Sequence, residues 1–157
     1  MTPDRNAAPA LTFFAELSVA VGAPIDVGPT PEGHRRIVPI IGGTFNGPQI
    51  NGKVLSGGAD HQILRSRELT ELDARYALET DAGQRIYVHN TALRHGTAED
   101  IECLNRGEEV APERIYFRCW PRLTTSAPEL AWLNNQLAVG TGERHPGRVV
   151  VRVFLID

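Results

Sequence analysis

A chain of 157 residues, 41% of them hydrophobic and with a formal charge of only −3, can bury a core of its own and is too apolar to stay unfolded. The balance of charge lacks the basic footprint of a nucleic-acid binder, and no apolar run is long enough to span a membrane. Two cysteines, Cys103 and Cys119, without CxxC or Cys/His spacing, argue against a disulfide framework or a zinc site and fit reduced thiols in a cytoplasmic protein.

The Ala- and Pro-rich residues 1–10 read as a disordered tail, leaving 11–157 as a single domain. Leu11 to Val21 is interrupted by Glu16, and neither a basic flank nor a cleavage site marks it as a leader. Its alternation, with Leu11, Phe13, Ala15, Leu17, Val19 and Val21 apolar, predicts a half-buried strand. A turn-rich stretch around Gly28 to Gly33 follows. His34 to Ile41 then predicts a strand in which Pro39 marks an edge or a bulge, and Gly42-Gly43 and Asn46-Gly47-Pro48 break the chain. Ile50, Gly52 and Val54 begin another alternation, and Gly57-Gly58 predicts a two-residue hairpin that sets Val54 opposite His61 and Gly52 opposite Ile63. Asp60 and Gln62 share one face.

Leu72, Ala74, Tyr76 and Leu78 alternate with polar residues up to the turn Thr80-Asp81-Ala82-Gly83. Counting outward predicts Tyr76 opposite Val88, Leu78 opposite Ile86, Arg75 opposite His89 and Ala77 opposite Tyr87. One face is then apolar, and the other carries Asp73, Arg75, Tyr87 and His89. Thr97 to Arg106 predicts a short helix, capped by Thr97 and ended by Gly107, acting as a lid or plug. Ile115 to Trp120 predicts a strand stopped by Pro121, and short turns are expected around Ala127–Leu133. Gln136–Val139 and Arg148–Leu155 predict the last two strands, joined by a turn from Gly140 to Gly147. So many short strands with one helix predict a mostly-β antiparallel sandwich or barrel.

If the strands share one sense of in and out, the polar faces gather Asp60, Gln62, Asp73, Arg75, Tyr87, His89 and Arg118. Such a set describes either an ordinary solvated face or a wet barrel lumen. His34, His61, His89, His95 and His145 are scattered without ligand spacing, so no metal is expected, and neither a phosphate loop nor a nucleophile elbow is present. Trp132 and Asn134 are candidates for a pocket rim.

Four ordered motifs carry a resemblance: VPIIGGTFNGPQINGKVLSGGADHQ (Val38 to Gln62), ELDARYALETDAGQRIYVHN (Glu71 to Asn90), YFRCWPRLTT (Tyr116 to Thr125) and AWLNNQLAVGTGER (Ala131 to Arg144). From about Leu11 onward the chain resembles the family called Domain of Unknown Function 3237, or UPF-0311. The resemblance implies a lipocalin-like or calycin-like β-barrel with an internal cavity. It matches the polar positions Asp60, Gln62, Asp73, Arg75, Tyr87, Asn90, Arg118, Trp132 and Asn134, and departs from the family pattern at His61 and Cys119-Trp120.

Two functions follow as expectations. One is a cofactor-independent isomerase, lyase, hydratase or cyclase acting on a small carbonyl-containing or aromatic metabolite. Asp60 or Asp73 would be the base, Arg75, Tyr87 or Arg118 would steady a developing anion, and Gln62, Asn90, Trp132 and Asn134 would bind the ligand. The other is a non-catalytic carrier whose Arg75 and Arg118 anchor an anionic head group. Both expect Asp60, Asp73, Arg75 and Tyr87 to converge on one cavity. A homodimer is expected from the frequency of symmetric dimers and the need to cover strand edges.

Overall fold

In the computed structural model, which describes residues 2–157, the alternating segments close into an antiparallel barrel. The strands are β1 (Leu11–Val21), β2 (Ile25–Thr30), β3 (Gly33–Asn46), β4 (Asn51–Val54), β5 (Gly58–Leu64), β6 (Leu69–Thr80), β7 (Arg85–His95), β8 (Tyr116–Thr125), β9 (Ala138–His145) and β10 (Arg148–Ile156). Sequential neighbours from β5 through β10 pair in order, β10 pairs with β1, and β1 pairs with β3 to close the wall. β1 and β2 both lie against β3, as one interrupted strand, and β4 and β5 form a second interrupted strand between β3 and β6. The wall is thereby eight strands around, a size whose interior side chains can fill.

The hairpin predicted at Gly57-Gly58 does not form. Val54 lies opposite Leu78, and Asp60 lies opposite both Val38 and Ala74. At Leu55–Gly57 the chain bends without reversing: Leu55 N–H donates to the Ala77 carbonyl at 2.9 Å and Gly57 N–H to that of Ile40 at 3.3 Å. Both edges of the interrupted strand are thus satisfied, whereas a hairpin would have left one edge of each arm open.

Other boundaries move for related reasons. A register shift between Phe13 and Ala15 turns Phe14 inward, so Leu11 and Phe13 are exposed instead of joining the core. The stretch read as turns contains β2. Pro39 sits within β3 beside the gap between β1 and β2, where its missing N–H leaves no ladder bond unmade. β8 continues past Pro121 to Thr125, because it pairs with β9 only at Arg118 and Cys119 and the rest of that side makes no ladder. β9 continues through Gly140 and Gly142 to His145, and the chain reverses at Pro146-Gly147. Gly142 is there for closeness: a Cβ would meet the Phe117 ring at 2.7 Å.

The register of β6 and β7 is the one predicted, with Tyr76 opposite Val88, Leu78 opposite Ile86, Arg75 opposite His89 and Ala77 opposite Tyr87. Helix α1 (Ala98–Asn105) also forms as predicted, its Thr97 Oγ1 accepting the Asp100 N–H at 3.2 Å. Ile101 and Leu104 pack with Val110 into a small cluster of their own. A 3₁₀ segment, Pro128–Asn135, stoppers one end of the barrel by inserting Leu133 into the main core, which includes Phe45, Leu78, Ile86 and Leu123. Burying each such side chain contributes roughly 1.5–3 kcal/mol. Among the described residues no helix is long and apolar enough to cross a membrane.

Candidate functional site in the barrel lumen

The inner faces of β6 and β7 change character along their length. Near the stoppered end they present Leu78 and Tyr76, Ile86 and Val88; further on they present Thr70 from β6 and Asn90 and Arg94 from β7, all buried. β5 adds Asp60 and Gln62 at the same level, β3 adds Arg36 opposite Gln62, and β9 adds Arg144. Asp60, Gln62, Tyr76, Asn90, Arg94 and Arg144 line a cavity of about 50 Å³ whose remaining wall is largely Val, Ile, Leu, Ala and Phe117. That volume admits a few waters or a small polar molecule, at about 10–15 Å³ per water.

Asp60 is the one carboxyl on this wall. Its Oδ2 accepts from Gln62 Nε2 at 2.9 Å, and its Oδ1 accepts the backbone N–H of Asp73 at 3.0 Å. Burial raises its pKa above the usual aspartate range; the two hydrogen bonds and the nearby Arg94 oppose this without cancelling it. Burial also raises the Tyr76 hydroxyl, keeping it a neutral donor, and pushes the Cys119 thiol up to about 11, too high for a thiolate nucleophile at neutral pH. Arg94 is only 2% exposed and lies 5.5 Å from the Phe117 ring centre. Burial lowers its pKa to about 10, which leaves it charged at neutral pH.

Several buried polar atoms around this cavity have no protein partner: Gln62 Oε1, Asn90 Oδ1, Arg94 Nε, Thr70 Oγ1 and Arg36 Nε. Buried polar groups are normally satisfied, so a cluster of open donors and acceptors beside one cavity marks a place where a guest or ordered water completes the bonding. α1 borders this end: Arg36 Nη1 donates to the Asn105 carbonyl at 3.2 Å, tying the last turn of the helix to the lumen mouth. Among the described residues no three His, Cys, Asp or Glu side chains gather as a ready metal cage.

The expected convergence of Asp60, Asp73, Arg75 and Tyr87 is not found. Asp60 points inward, while Asp73, Arg75 and Tyr87 occupy the outer face of β6 and β7. These three do form a cluster with His89: Asp73 Oδ1 lies 2.8 Å from His89 Nε2 and 3.4 Å from Arg75 Nε. Burial works to raise the Asp73 pKa, but the hydrogen bonds from Arg75 and His89 outweigh it and the net shift is downward. The physical reason for the separation is volume. A barrel of eight strands fills its interior with side chains, so the apolar face of the β6–β7 hairpin turns inward and its polar face turns out.

Of the expected ligand contacts, Gln62 and Asn90 reach the lumen, and Arg118, Trp132 and Asn134 do not. Arg118 is exposed on the outer face beside Tyr116, with its guanidinium 5.4 Å from that ring centre. Trp132 packs edge-on against Phe14 at the stoppered end. Asn134 clamps a backbone turn, accepting the Thr125 N–H at 2.8 Å and donating to the Thr125 carbonyl at 3.0 Å. His61 and Trp120 are exposed outside the barrel, so of the unusual positions only Cys119 borders the inner wall. Arg36, Arg94, Arg144, Thr70 and Tyr76 were missed. Alternation held the signal: extending the inward set Ile86, Val88 by twos reaches Asn90, Ala92 and Arg94, an apolar face that ends in a charge.

A sequence profile of the family described as "Protein of unknown function (DUF3237)" matches residues 9–156. A UPF0311 protein of Rhodopseudomonas palustris is 44% identical over 144 residues, covering 92% of this chain and 94% of its own. A UPF0311 protein of Bradyrhizobium diazoefficiens is 42% identical over 156 residues, covering 99% of each. Among solved structures, a β-barrel-like protein of Acinetobacter baumannii superposes with a TM-score of 0.84 at 39% identity, over 98% of this chain and 100% of its own. A protein of Penicillium herquei described as an enzyme superposes with a TM-score of 0.73 at 20% identity, over 99% of this chain and 100% of its own, a likeness of fold alone. Profile, relatives and barrel agree, and the chain belongs to the DUF3237, or UPF0311, family.

Proposed function

We propose that this protein binds a small carbonyl-containing metabolite in its lumen, whose cavity of about 50 Å³ is too small for an aromatic ring, and carries out cofactor-independent acid/base chemistry on it, as an isomerase, lyase, hydratase or cyclase, with Asp60 as the proton-transfer group. The observation that carries this reading is a desolvated carboxyl beside open hydrogen-bonding atoms at one small cavity. Raising a carboxyl toward neutral pH is what such a base requires, since transfer is most effective when its pKa approaches the working pH. Tyr76 and Asn90 line the same cavity and are suited to hold a developing enolate or alkoxide. The likeness in fold to a protein described as an enzyme is consistent with this role. The rival reading, a carrier, uses the same cavity but returns its ligand unchanged.

Proton exchange separates the two. Small oxo-acids and small aliphatic ketones are incubated with the protein in D₂O, and loss of the proton beside the carbonyl is followed by NMR. Exchange that Asp60→Asn abolishes supports the enzyme. Binding without exchange across the panel leaves the carrier.

The outer face extends the proposal to self-association. Leu11, Leu93, Tyr116 and Trp120 are exposed, Trp120 at 71%, around a surface groove that also carries Arg35 and Arg118 beside Glu71 and Asp73. A second copy related by a two-fold axis would cover the apolar side chains and set these opposite charges against one another.

A further inference from the structure

The polar end of the lumen is unbalanced in charge. Three arginines face it or its mouth, Arg36, Arg94 and Arg144, and Asp60 is the one carboxyl that reaches the cavity; Asp26, cross-strand from Arg36, is exposed and engaged with His34. None of the ion pairs among the described residues includes any of the three arginines, or Asp60. The other arginine contacts at this end go to backbone carbonyls: Arg36 to Asn105, Arg144 to His145 and Arg148. Arg94, the most deeply buried, has an open Nε, lies against the Phe117 ring, and feels the charge of Asp60 without an ion pair to it. The charges of Arg36 and Arg144 add to burial in lowering the proton affinity of Arg94, and that of Arg36 does the same at Arg144. Buried cations are ordinarily paired or neutralised, and an arginine does not give up its proton at working pH.

We infer that this end of the lumen is a carboxylate site: the small molecule carries a carboxylate that docks on Arg94, flanked by Arg36 and Arg144, with its remaining carbon atoms directed along the cavity toward Asp60. Arg94 and Asp60 line the same cavity without forming an ion pair with one another. A planar, two-oxygen anion matches the planar fork of a guanidinium, and a carboxylate on a short chain fits a cavity of about 50 Å³ while leaving its carbon end to the apolar wall. The inference deepens the functional proposal by naming the charge and class of the ligand, and it rests on that proposal only for the lumen being the site. It does not require turnover.

The test compares each acid with its uncharged isostere on the purified protein: acetate against acetamide, and propionate against propionamide, with inorganic phosphate alongside. Affinity is read by calorimetry, and the contact by the shift of the Arg94 Nε–H resonance in ¹⁵N–¹H spectra. Wild type should bind at least one acid ten-fold or more tightly than its amide, with the Arg94 resonance moving and the affinity falling as chloride is added. Arg94→Met, which keeps the bulk and relieves the buried charge, should fold with an undiminished melting temperature and lose the preference. Arg144→Gln should weaken it several-fold. Equal binding of acid and amide, binding of neither, a preference that survives Arg94→Met, or binding of phosphate with no carboxylate would each overturn the inference. Failure here is separable from failure of the catalytic reading. If Asp60→Asn keeps the acid preference while wild type shows no proton exchange, the anion site stands and catalysis falls. Exchange on a neutral ketone without any acid preference gives the reverse.

Discussion

Asp60 and Asp73 are joined by one hydrogen bond, Asp73 N–H to Asp60 Oδ1 at 3.0 Å, yet their side chains point to opposite sides of the barrel wall. One carboxyl is desolvated in the lumen and held above the ordinary aspartate range. The other is partly exposed, touched by Arg75 and His89, and held below it. Two carboxyls of the same residue type thus acquire opposite chemistry from the side of the wall they occupy.

The first prediction concerns Asp60→Asn. A carboxyl whose pKa is raised on folding favours the folded state most at pH below its unfolded value, ~3.9, and loses that contribution as pH rises through the raised folded value. Asn does not ionise, so the variant gains on wild type as pH rises, and the two approach one another on acidification below about 4. Each kcal/mol of difference moves the melting temperature roughly 2–4 °C in a chain of this size. Activity, where present, should fall on the order of 10²-fold or more. Melting curves from pH 3.5 to 8 check the first half. A variant less stable than wild type at pH 8 contradicts it.

The outer cluster predicts the opposite pattern. Asp73→Asn removes a carboxyl with a lowered pKa, whose stabilising effect is present above the unfolded value and fades as pH falls through the folded one. Because Asp73 and its partners are partly exposed, the change at neutral pH stays within about 1 kcal/mol. Arg75→Ala should leave binding of any lumen ligand unaltered. Titration calorimetry showing a ten-fold loss in that variant would return the outer cluster to the site.

Asn134→Ala should destabilise the fold without touching ligand affinity. It removes both side-chain bonds to the Thr125 backbone, at a cost of roughly 1–3 kcal/mol where the turn is left unsatisfied. Denaturant unfolding measures the cost, and a matched binding titration in which affinity falls would show Asn134 to be more than a clamp.

Trp120→Asp tests the outer apolar patch. Wild type should appear as a dimer by native mass spectrometry at micromolar concentration, and the variant as a monomer with an unchanged far-UV circular dichroism spectrum, since Trp120 is 71% exposed and packs into no core. A monomeric wild type removes the proposal.

Local sequence determined what depends on neighbours along the chain. The β6–β7 register follows from the Thr80–Gly83 turn and from two apolar faces that only one alignment matches, and α1 follows from the Thr97 cap and the terminating Gly107. Alternation also fixed which side chains travel together: Asp60 with Gln62, and Asp73 with Arg75. Which set faced the lumen was decided by closure. Both hairpin faces carry residues a small molecule could use, and only packing eight strands around a filled interior sends the Tyr76 face inward and the Asp73 face outward. Closure likewise replaced the local hairpin at Gly57-Gly58 with a bend, because β3 and β6 together offered more backbone partners than β4 and β5 could offer one another. The gathering of Arg36, Arg94 and Arg144 around Asp60 comes from four strands, β3, β7, β9 and β5, that meet only in the closed barrel.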